Sequence, residues 1–463
     1  MKPITTAEIA SITGGDIIAG SGDTRVLGIS VDSRVVKKKD LFVALPGERT
    51  CGHKFVPEAL AAGASAALVS QAMEHSCLPE KTIILVPDTG KALLKLGAWY
   101  RRQFTVRTVA ITGSTGKTTT KDITARVLNC RWPTLKNPGN LNTEIGLPLT
   151  LFKLKKQHKI AVLELAMRGL GQIRQLARIA KPEVGVITNV GVAHIELLGS
   201  RDNIARAKGE LLESLPTHGM AILNGDDPQI RQLSAHSRSP VLYYGLDDSA
   251  DIFASAIKTS ETRTSFTVNG LCGNGRIHLP LIGRFNVYNA LTAIAVGYYF
   301  GLALDEMAAT LEKVESTPMR FNICRRADDA LIIDDAYNAN PVSVSNALTA
   351  LADIAQGRRT IAILGDMLEL GELAPSAHTE IGELAAKLGL DCLIAAGKWA
   401  PFLVEGAVSA GFCPDKVYLC PDTAAAADIA ARQVRPKNVV LVKASRGMQF
   451  EQIIAMLKQE GCR

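Results

Sequence analysis

The chain has 463 residues, 47% of them hydrophobic and 21% charged, a globular balance on a length too great for one core. Its formal charge of +7, from 52 basic and 45 acidic residues, suits an anionic small substrate. The basic clusters Lys37–Lys39 and Lys153–Lys159 read as solvated faces or turns, and with no nucleic-acid-reading motif visible, no nucleic-acid partner is expected.

Apolar runs alternate with helical patterns along the chain, which predicts parallel α/β architecture, and the length prior gives roughly three domains. The first segment, residues 1–87, has a short helix at Thr6–Thr13, strand-like runs at Leu41–Leu45, Ala66–Val69 and Thr82–Val86, and a helix around Pro57–Ala62. Pro87-Asp88-Thr89-Gly90 is a turn signal, followed by a helical pattern over Lys91–Phe104. In the second segment, 88–317, strands are expected at Val106–Thr112, Ile160–Leu165, Val184–Val190 and Met220–Asn224. Ile252–Lys258, Thr264–Val268 and Arg276–Leu281 alternate as an antiparallel addition, and a long apolar helix starts at Val287. The third segment, 318–463, starts near Pro318-Met319-Arg320. Strands at Leu331–Ile333, Thr360–Leu364, Cys392–Ala395, Val417–Leu419 and Val439–Val442, with helices between, predict a smaller doubly wound domain.

Nine cysteines, without C-x-x-C or Cys/His metal spacing, are the reduced thiols of a cytoplasmic protein. MKPITTAEIASITGG has no apolar signal core, and no run of about 18 apolar residues predicts a membrane span. Ala290–Leu302, the nearest to one, suits a packed helix.

The stretch AITGSTGKTTTK, Ala110–Lys121, carries the chemistry. The usual phosphate loop is G-x-x-x-x-G-K-[ST]; here Gly116, Lys117 and Thr118 are in place, Ile111 holds the expected glycine position, and the glycine upstream is Gly113. A strand, a glycine-bearing loop and a helix starting near Lys117 make an anion site, because backbone N–H groups and the helix dipole face the ligand. Lys117 reaches terminal phosphates and the Thr118 hydroxyl ligates Mg²⁺ on that reading. Glu164, ending the second strand, is a Mg²⁺ ligand or a helix-capping acid. His194, after the Gly191 turn, is structural or a metal ligand.

TGSTGKTTT, the acid in LELAMRG, TNVGVAHIE and ARAKGEL resemble the Mur ligases, ATP-dependent amide-forming enzymes of peptidoglycan precursor synthesis, whose phosphate loop has this shortened form. VDSRVVKKKDLFVALPGERTCGHKF resembles their uridine-nucleotide segment. GNLNTEIGLPLTL, DDAYNANPVSV and LGDMLELGELAPSAH resemble the branch that adds D-alanyl-D-alanine to a UDP-N-acetylmuramoyl tripeptide through an acyl phosphate, and the Asp-Asn-Pro-Arg run of the diaminoacid-adding branch is absent. The resemblance implies a small N-terminal α/β uridine-nucleotide domain (1–87), a central P-loop-type, mostly parallel ATPase domain (88–317) and a C-terminal Rossmann-like domain (318–463) that closes on ATP and binds the dipeptide. It also implies a cytoplasmic enzyme, with a monomer as the default.

Residue by residue, the resemblance implies that Gly113, Ser114, Thr115, Gly116, Lys117, Thr118 and Thr119 cradle ATP phosphates. Thr118 and Glu164 hold a first Mg²⁺ and His194 a second, and Lys208 is the lysine the family carbamylates. Asn286 and Asn289 contact adenine, although Asn286 also suits a helix cap. Arg320 and Asp335, the latter chosen over Asp334 by the alignment of DAYNANP, reach ATP when the domains close. Ser33, Arg34, Gly52 and His53 match the uridine motifs, with Cys51 and Lys54 standing where acids are usual. Asn140, Asn142 and Thr143 contact the sugar-peptide. Asn338, Asn340, Arg446 and the Asp366–Glu369 loop face the dipeptide, with Ala444 in place of a common glycine. Folylpolyglutamate synthases share the loop and the acid but would begin close to the loop. A nucleotide switch would share them too, but would not need Lys208, His194 or the GNLN run.

Overall fold

The computed structural model describes residues 1–47, 50–72 and 81–460. The chain forms two compact units. One holds Met1–Ala110, Arg131–Met167 and Gly171–Glu183; the other holds Ile111–Cys130, Arg168–Leu170 and Val184–Arg463.

In the first unit β1 (Ile4–Thr5) pairs antiparallel with β3 (Arg25–Val26). A five-stranded sheet comprises β2 (Asp16–Ala19), β4 (Gly28–Ser30), β5 (Asp40–Val43), β6 (Ala66–Val69) and β7 (Thr82–Leu85), in the order β2-β7-β6-β5-β4. Only β2 runs antiparallel to its neighbour. Strands β5 and β6 are buried along their whole length, which is why they read as continuous apolar runs. The half-buried β2 and the three-residue β4 give no such run, and the sequence reading passed over them.

The turn at Pro87–Gly90 starts the helix Thr89–Arg101, with Asp88 accepting from the Lys91 amide as its N-cap. Arg101 is buried at its end and donates to the carbonyls of Ala180, Phe104 and Val106 and to the Thr108 hydroxyl. These bonds fix the entry to β8 (Arg107–Thr112), along which the chain passes from the first unit to the second. The first unit also holds β9 (Thr134–Lys136) and β10 (Ile160–Glu164), a parallel pair.

In the second unit β11 (Val184–Ile187), β12 (Met220–Asn224), β13 (Val241–Gly245) and β14 (Ile252–Thr259) run parallel. Then β15 (Thr264–Gly270) and β16 (Gly275–Leu279) add antiparallel, as their alternation predicts. The apolar helix Arg284–Tyr299 follows.

The C-terminal part of this unit has a six-stranded sheet of β17 (Asn322–Arg325), β18 (Leu331–Asp334), β19 (Thr360–Gly365), β20 (Cys392–Ala396), β21 (Val417–Cys420) and β22 (Val439–Lys443). Their order is β17-β18-β22-β19-β20-β21, with only β17 antiparallel to its neighbour. Apolar cores cover both faces, Leu348, Ile381 and Leu403 on one and Ile361, Phe450 and Ile453 on the other. This is the doubly wound domain expected. The edge strand β17 went unread because its residues are only half covered and show no clean period. Among the described residues no helix is long and apolar enough to cross a membrane.

Candidate active site

The phosphate loop leaves β8 at Thr112 and enters the helix Lys117–Asn129. Gly116 caps that helix at φ 77, a left-handed backbone, and a Cβ there would stand 2.7 Å from Asn289 Oδ1. A Cβ on Gly113 would overlap the Thr188 hydroxyl. Both glycines are therefore required by space as well as by backbone.

Thr188–Gly191 clasps the loop from the side. The Thr115 amide donates to Asn189 Oδ1 at 2.9 Å, and the Thr188 hydroxyl and Asn189 Nδ2 donate to the Thr115 carbonyl at 2.7 and 3.1 Å. The Ser114 amide donates to the Asn189 carbonyl at 3.0 Å, and the Gly191 amide to Ser114 Oγ at 2.8 Å. Lys117 Nζ donates to the carbonyls of Gly113 and Ser114 at 2.8 and 3.2 Å, so its cation lies over the loop. The hydroxyls of Thr118 and Thr119, half-buried on the first helical turn, make no side-chain hydrogen bond among the described residues.

Lys208 lies in the helix Arg201–Glu213 at 2% exposure. Burial, reinforced by the like charge of Lys117, pushes its amine well below the usual lysine range. That favours the uncharged, nucleophilic form. His194, at φ 67, heads the short helix Ile195–Leu198, and its Nδ1 lies 2.5 Å from Glu369 Oε2. The hydrogen bond from His194 holds the Glu369 carboxyl below the ordinary glutamate value, against the opposing effect of burial.

Asn289 Oδ1 accepts from the Thr120 hydroxyl at 2.9 Å, Asn289 Nδ2 donates to Asn286 Oδ1 at 2.9 Å, and Asn286 Nδ2 donates to the Ile282 carbonyl at 2.8 Å. This chain ties the helix Arg284–Tyr299 to the phosphate-loop helix. Asn286 sits inside its helix, whose N-cap is Gly283, so capping does not account for it.

Arg320 lies between Met319 at φ 59 and Phe321 at φ 49, with its guanidinium 3.9 Å from the centre of the Tyr337 ring. Asp335 accepts from the Phe321 amide at 3.1 Å and from Lys443 Nζ at 2.6 Å. Asp334 is buried instead, and desolvation raises its carboxyl above the ordinary value. Asn340 caps the helix Pro341–Ala355 through the Ser343 amide. Asn338 accepts from the Ala339 amide, and Arg446 stays exposed beside Glu451.

In the first unit Glu164 is buried. Its Oε1 accepts from Asn142 Nδ2 at 2.7 Å, and among the described residues its Oε2 has no partner. Asn137 fixes the backbone on either side, accepting from the Glu164 amide and donating to the Glu164 and Leu141 carbonyls. Asn140 and Thr143 are exposed on the same turn.

Also in this unit, Ser33 is buried and Arg34 exposed, its guanidinium bridging both oxygens of Asp32. Those bonds lower the Asp32 carboxyl to about 2. A Cβ on Gly52 would stand 2.6 Å from the Leu45 carbonyl oxygen, so only glycine fits. His53 Nε2 accepts from the Ser70 amide at 2.9 Å, which places its proton on Nδ1, 3.1 Å from Cys51 Sγ. Cys51, one of the two departures from the family motif, thus accepts a hydrogen bond from the imidazole.

Family models described as Mur ligase family, catalytic domain, Mur ligase middle domain, and Mur ligase, glutamate ligase domain match residues 25–98, 111–297 and 319–446. The chain belongs to the Mur ligase family. The UDP-N-acetylmuramoyl-tripeptide–D-alanyl-D-alanine ligase of Bacillus subtilis (strain 168) is 35% identical over 453 residues, 97% of each chain. A crystal structure of MurF from Acinetobacter baumannii matches with a TM-score of 0.91 at 31% identity over 99% of both chains. One of MurF ligase from Thermotoga maritima in complex with ADP matches with a TM-score of 0.83 at 30% identity, over 94% of this chain and 97% of that one.

Three residues that contact the candidate site residues were not given these contacts in the sequence reading. Asn189 stands inside the quoted TNVG run, and Lys443 begins KASR, so each had a visible signal. Glu369, read as part of an acceptor loop, gave no sign that it meets His194.

Proposed function

We propose that the chain joins D-alanyl-D-alanine to the C-terminal carboxylate of a UDP-N-acetylmuramoyl tripeptide, using ATP. The observation that carries this is full-length similarity to ligases of that name, together with a phosphate loop whose glycines, clasp and lysine are all in place. A carboxylate oxygen of the tripeptide attacks the γ-phosphorus and ADP leaves. The dipeptide amine then attacks the acyl carbon, loses a proton, and phosphate departs.

Residues 113–119 cradle the phosphates through backbone amides at a helix start, with Lys117 moving from its loop carbonyls to the β/γ oxygens. Asn286 and Asn289 border adenine, and Arg320 and Asp335 meet the nucleotide from the C-terminal domain. Ser33, Arg34, Gly52 and His53 take the uridine end, and Asn140, Asn142 and Thr143 the sugar-peptide. Asn338, Asn340 and Arg446 border the dipeptide. Orienting the three reactants would supply much of the acceleration. The division into 1–87, 88–317 and 318–463 gives each reactant a domain, with the enzyme acting as a cytoplasmic monomer.

The residues present fit Mg²⁺. Glu164 Oε2, without a partner among the described residues, and the Thr118 hydroxyl are each hard oxygen donors of the kind Mg²⁺ takes. Thr118 and Glu164 would hold one Mg²⁺ and His194 a second, and the ions would supply positive charge against the transferred phosphoryl group. Burial and the Lys117 charge both favour the amine form of Lys208, the form that would add carbon dioxide, forming an N–C bond and releasing a proton. The resulting carbamate replaces a repelling cation with an anion beside the metal site.

Phosphate release with ATP and Mg²⁺, adding the tripeptide and dipeptide separately and together, tests the reading. Release only with both, and a product heavier by the dipeptide, is expected. Release with neither present points to an ATPase switch and overturns it.

A further inference from the structure

The loop that presents Glu369 is pinned along its length. The carboxylate of Asp366 accepts the amides of Lys398 and Trp399, each at 2.9 Å, and the Asp366 carbonyl accepts the Ser445 amide at 3.1 Å. The Met367 amide donates to Nε2 of the buried His378 at 3.0 Å, and that ring's Nδ1 donates to the Ala374 carbonyl at 2.6 Å. The Leu368 amide donates to Ser445 Oγ at 2.9 Å. Asp366 is thereby a structural brace, its carboxylate fully engaged by backbone amides.

At the end of this brace Glu369 takes φ 62, a left-handed backbone uncommon outside glycine, asparagine and aspartate. Its carboxylate meets a histidine that is also left-handed, at φ 67. Two such residues, 175 positions apart in sequence, persist because their surroundings over-determine them. The Glu196 amide donates to the Glu369 carbonyl at 3.4 Å, so the backbone closes on the same spot as the side chains.

We infer that Glu369 is a positioning residue for His194. By accepting the Nδ1 proton it fixes the tautomer and leaves Nε2 as the nitrogen with the lone pair, the form in which an imidazole ligates a metal. A carboxylate behind a ligating histidine orients the ring and raises its basicity. The inference rests on the reading of His194 as a metal ligand, and part of its test is independent of that reading.

Nitrogen NMR of the full, metal-free chain in mildly alkaline buffer, with His194 assigned by its loss in His194→Gln, reads the tautomer directly. The wild type is expected to carry the proton on Nδ1. Glu369→Gln keeps it there, because the amide oxygen accepts the same proton, and Glu369→Ala releases it toward Nε2. In turnover, Glu369→Ala is expected to raise the Mg²⁺ needed for half-maximal rate by about 10–100-fold with the KM for ATP unchanged. Glu369→Gln restores most of that affinity. A His194 tautomer that is the same in Glu369→Ala as in the wild type overturns the inference, as does a Glu369→Ala that loses thermal stability with its Mg²⁺ requirement unmoved. If no ligation is found, the NMR result still decides the pairing, so failure of the ligase reading is told apart from failure of the positioning role.

Discussion

Lys208 and Lys443 are each 2% exposed, yet the regions around them do different things with a buried amine. Around Lys208 burial and the like charge of Lys117 act in the same direction, against the ammonium. Around Lys443 burial also lowers the amine, but Asp335 opposes it by charge and hydrogen bond, and Nζ donates to the Asn338 carbonyl as well. One pocket disfavours the charged amine, the other forms an ion pair that fastens β22 to the residues after β18. The residue type is the same; what lies opposite decides between chemistry and architecture.

The largest effect that separates the two regions is on turnover. Lys117→Met is expected to lower turnover by about 10³-fold or more with an unchanged far-UV spectrum, since it removes a cation aimed at the transferred phosphoryl group. It should also lift the Lys208 amine toward its ordinary value, and a Lys208 left just as reactive toward an amine reagent would break that coupling. Lys208→Met should lower turnover by about 10²-fold while thermal stability holds or rises, because a desolvated amine is exchanged for an apolar chain. A large loss of stability would place Lys208 with Lys443.

Lys443→Met should do the reverse first. Leaving the half-buried Asp335 without its cation should cost about 3 kcal/mol or somewhat less, measured by denaturant unfolding, and Lys443→Met with Asp335→Asn should recover much of it. The smallest effect concerns pH. Lys208 is lowered in the folded state, so below the ordinary lysine value the unfolded chain binds a proton that the folded chain does not. Stability therefore rises with pH through that window and levels off above it, by about 1.4 kcal/mol per pH unit for one such group. In carbonate-free buffer Lys208→Met should flatten this slope, and an unchanged slope would count against a neutral Lys208.

Legibility in the sequence followed chain distance. The phosphate loop is a strand, a turn and a helix within one short stretch, so its glycines, Lys117 and Thr118 could be read directly, whereas Asn189 of its clasp, 74 positions from Thr115, was not singled out. The parallel strands were legible because β5, β6, β8, β10 and β22 are almost wholly buried and appear as unbroken apolar runs. Pairs that fold brings together from far apart were not legible, His194 with Glu369 and Lys443 with Asp335 among them. Residue type alone also hid second roles. Asn340 reads as a ligand group but caps a helix, Asp366 braces a loop, and Asn286 and Asn289 spend their amides on each other and on neighbouring protein atoms.

The most direct test of the acyl-phosphate route is to supply a tripeptide carrying heavy oxygen in its terminal carboxylate, with ATP, Mg²⁺ and D-alanyl-D-alanine, and to weigh the released phosphate. In the proposed reaction that carboxylate oxygen becomes the bridge to phosphorus and leaves with it, so each phosphate should carry one heavy oxygen. Phosphate free of the label, alongside normal product formation, would contradict the account.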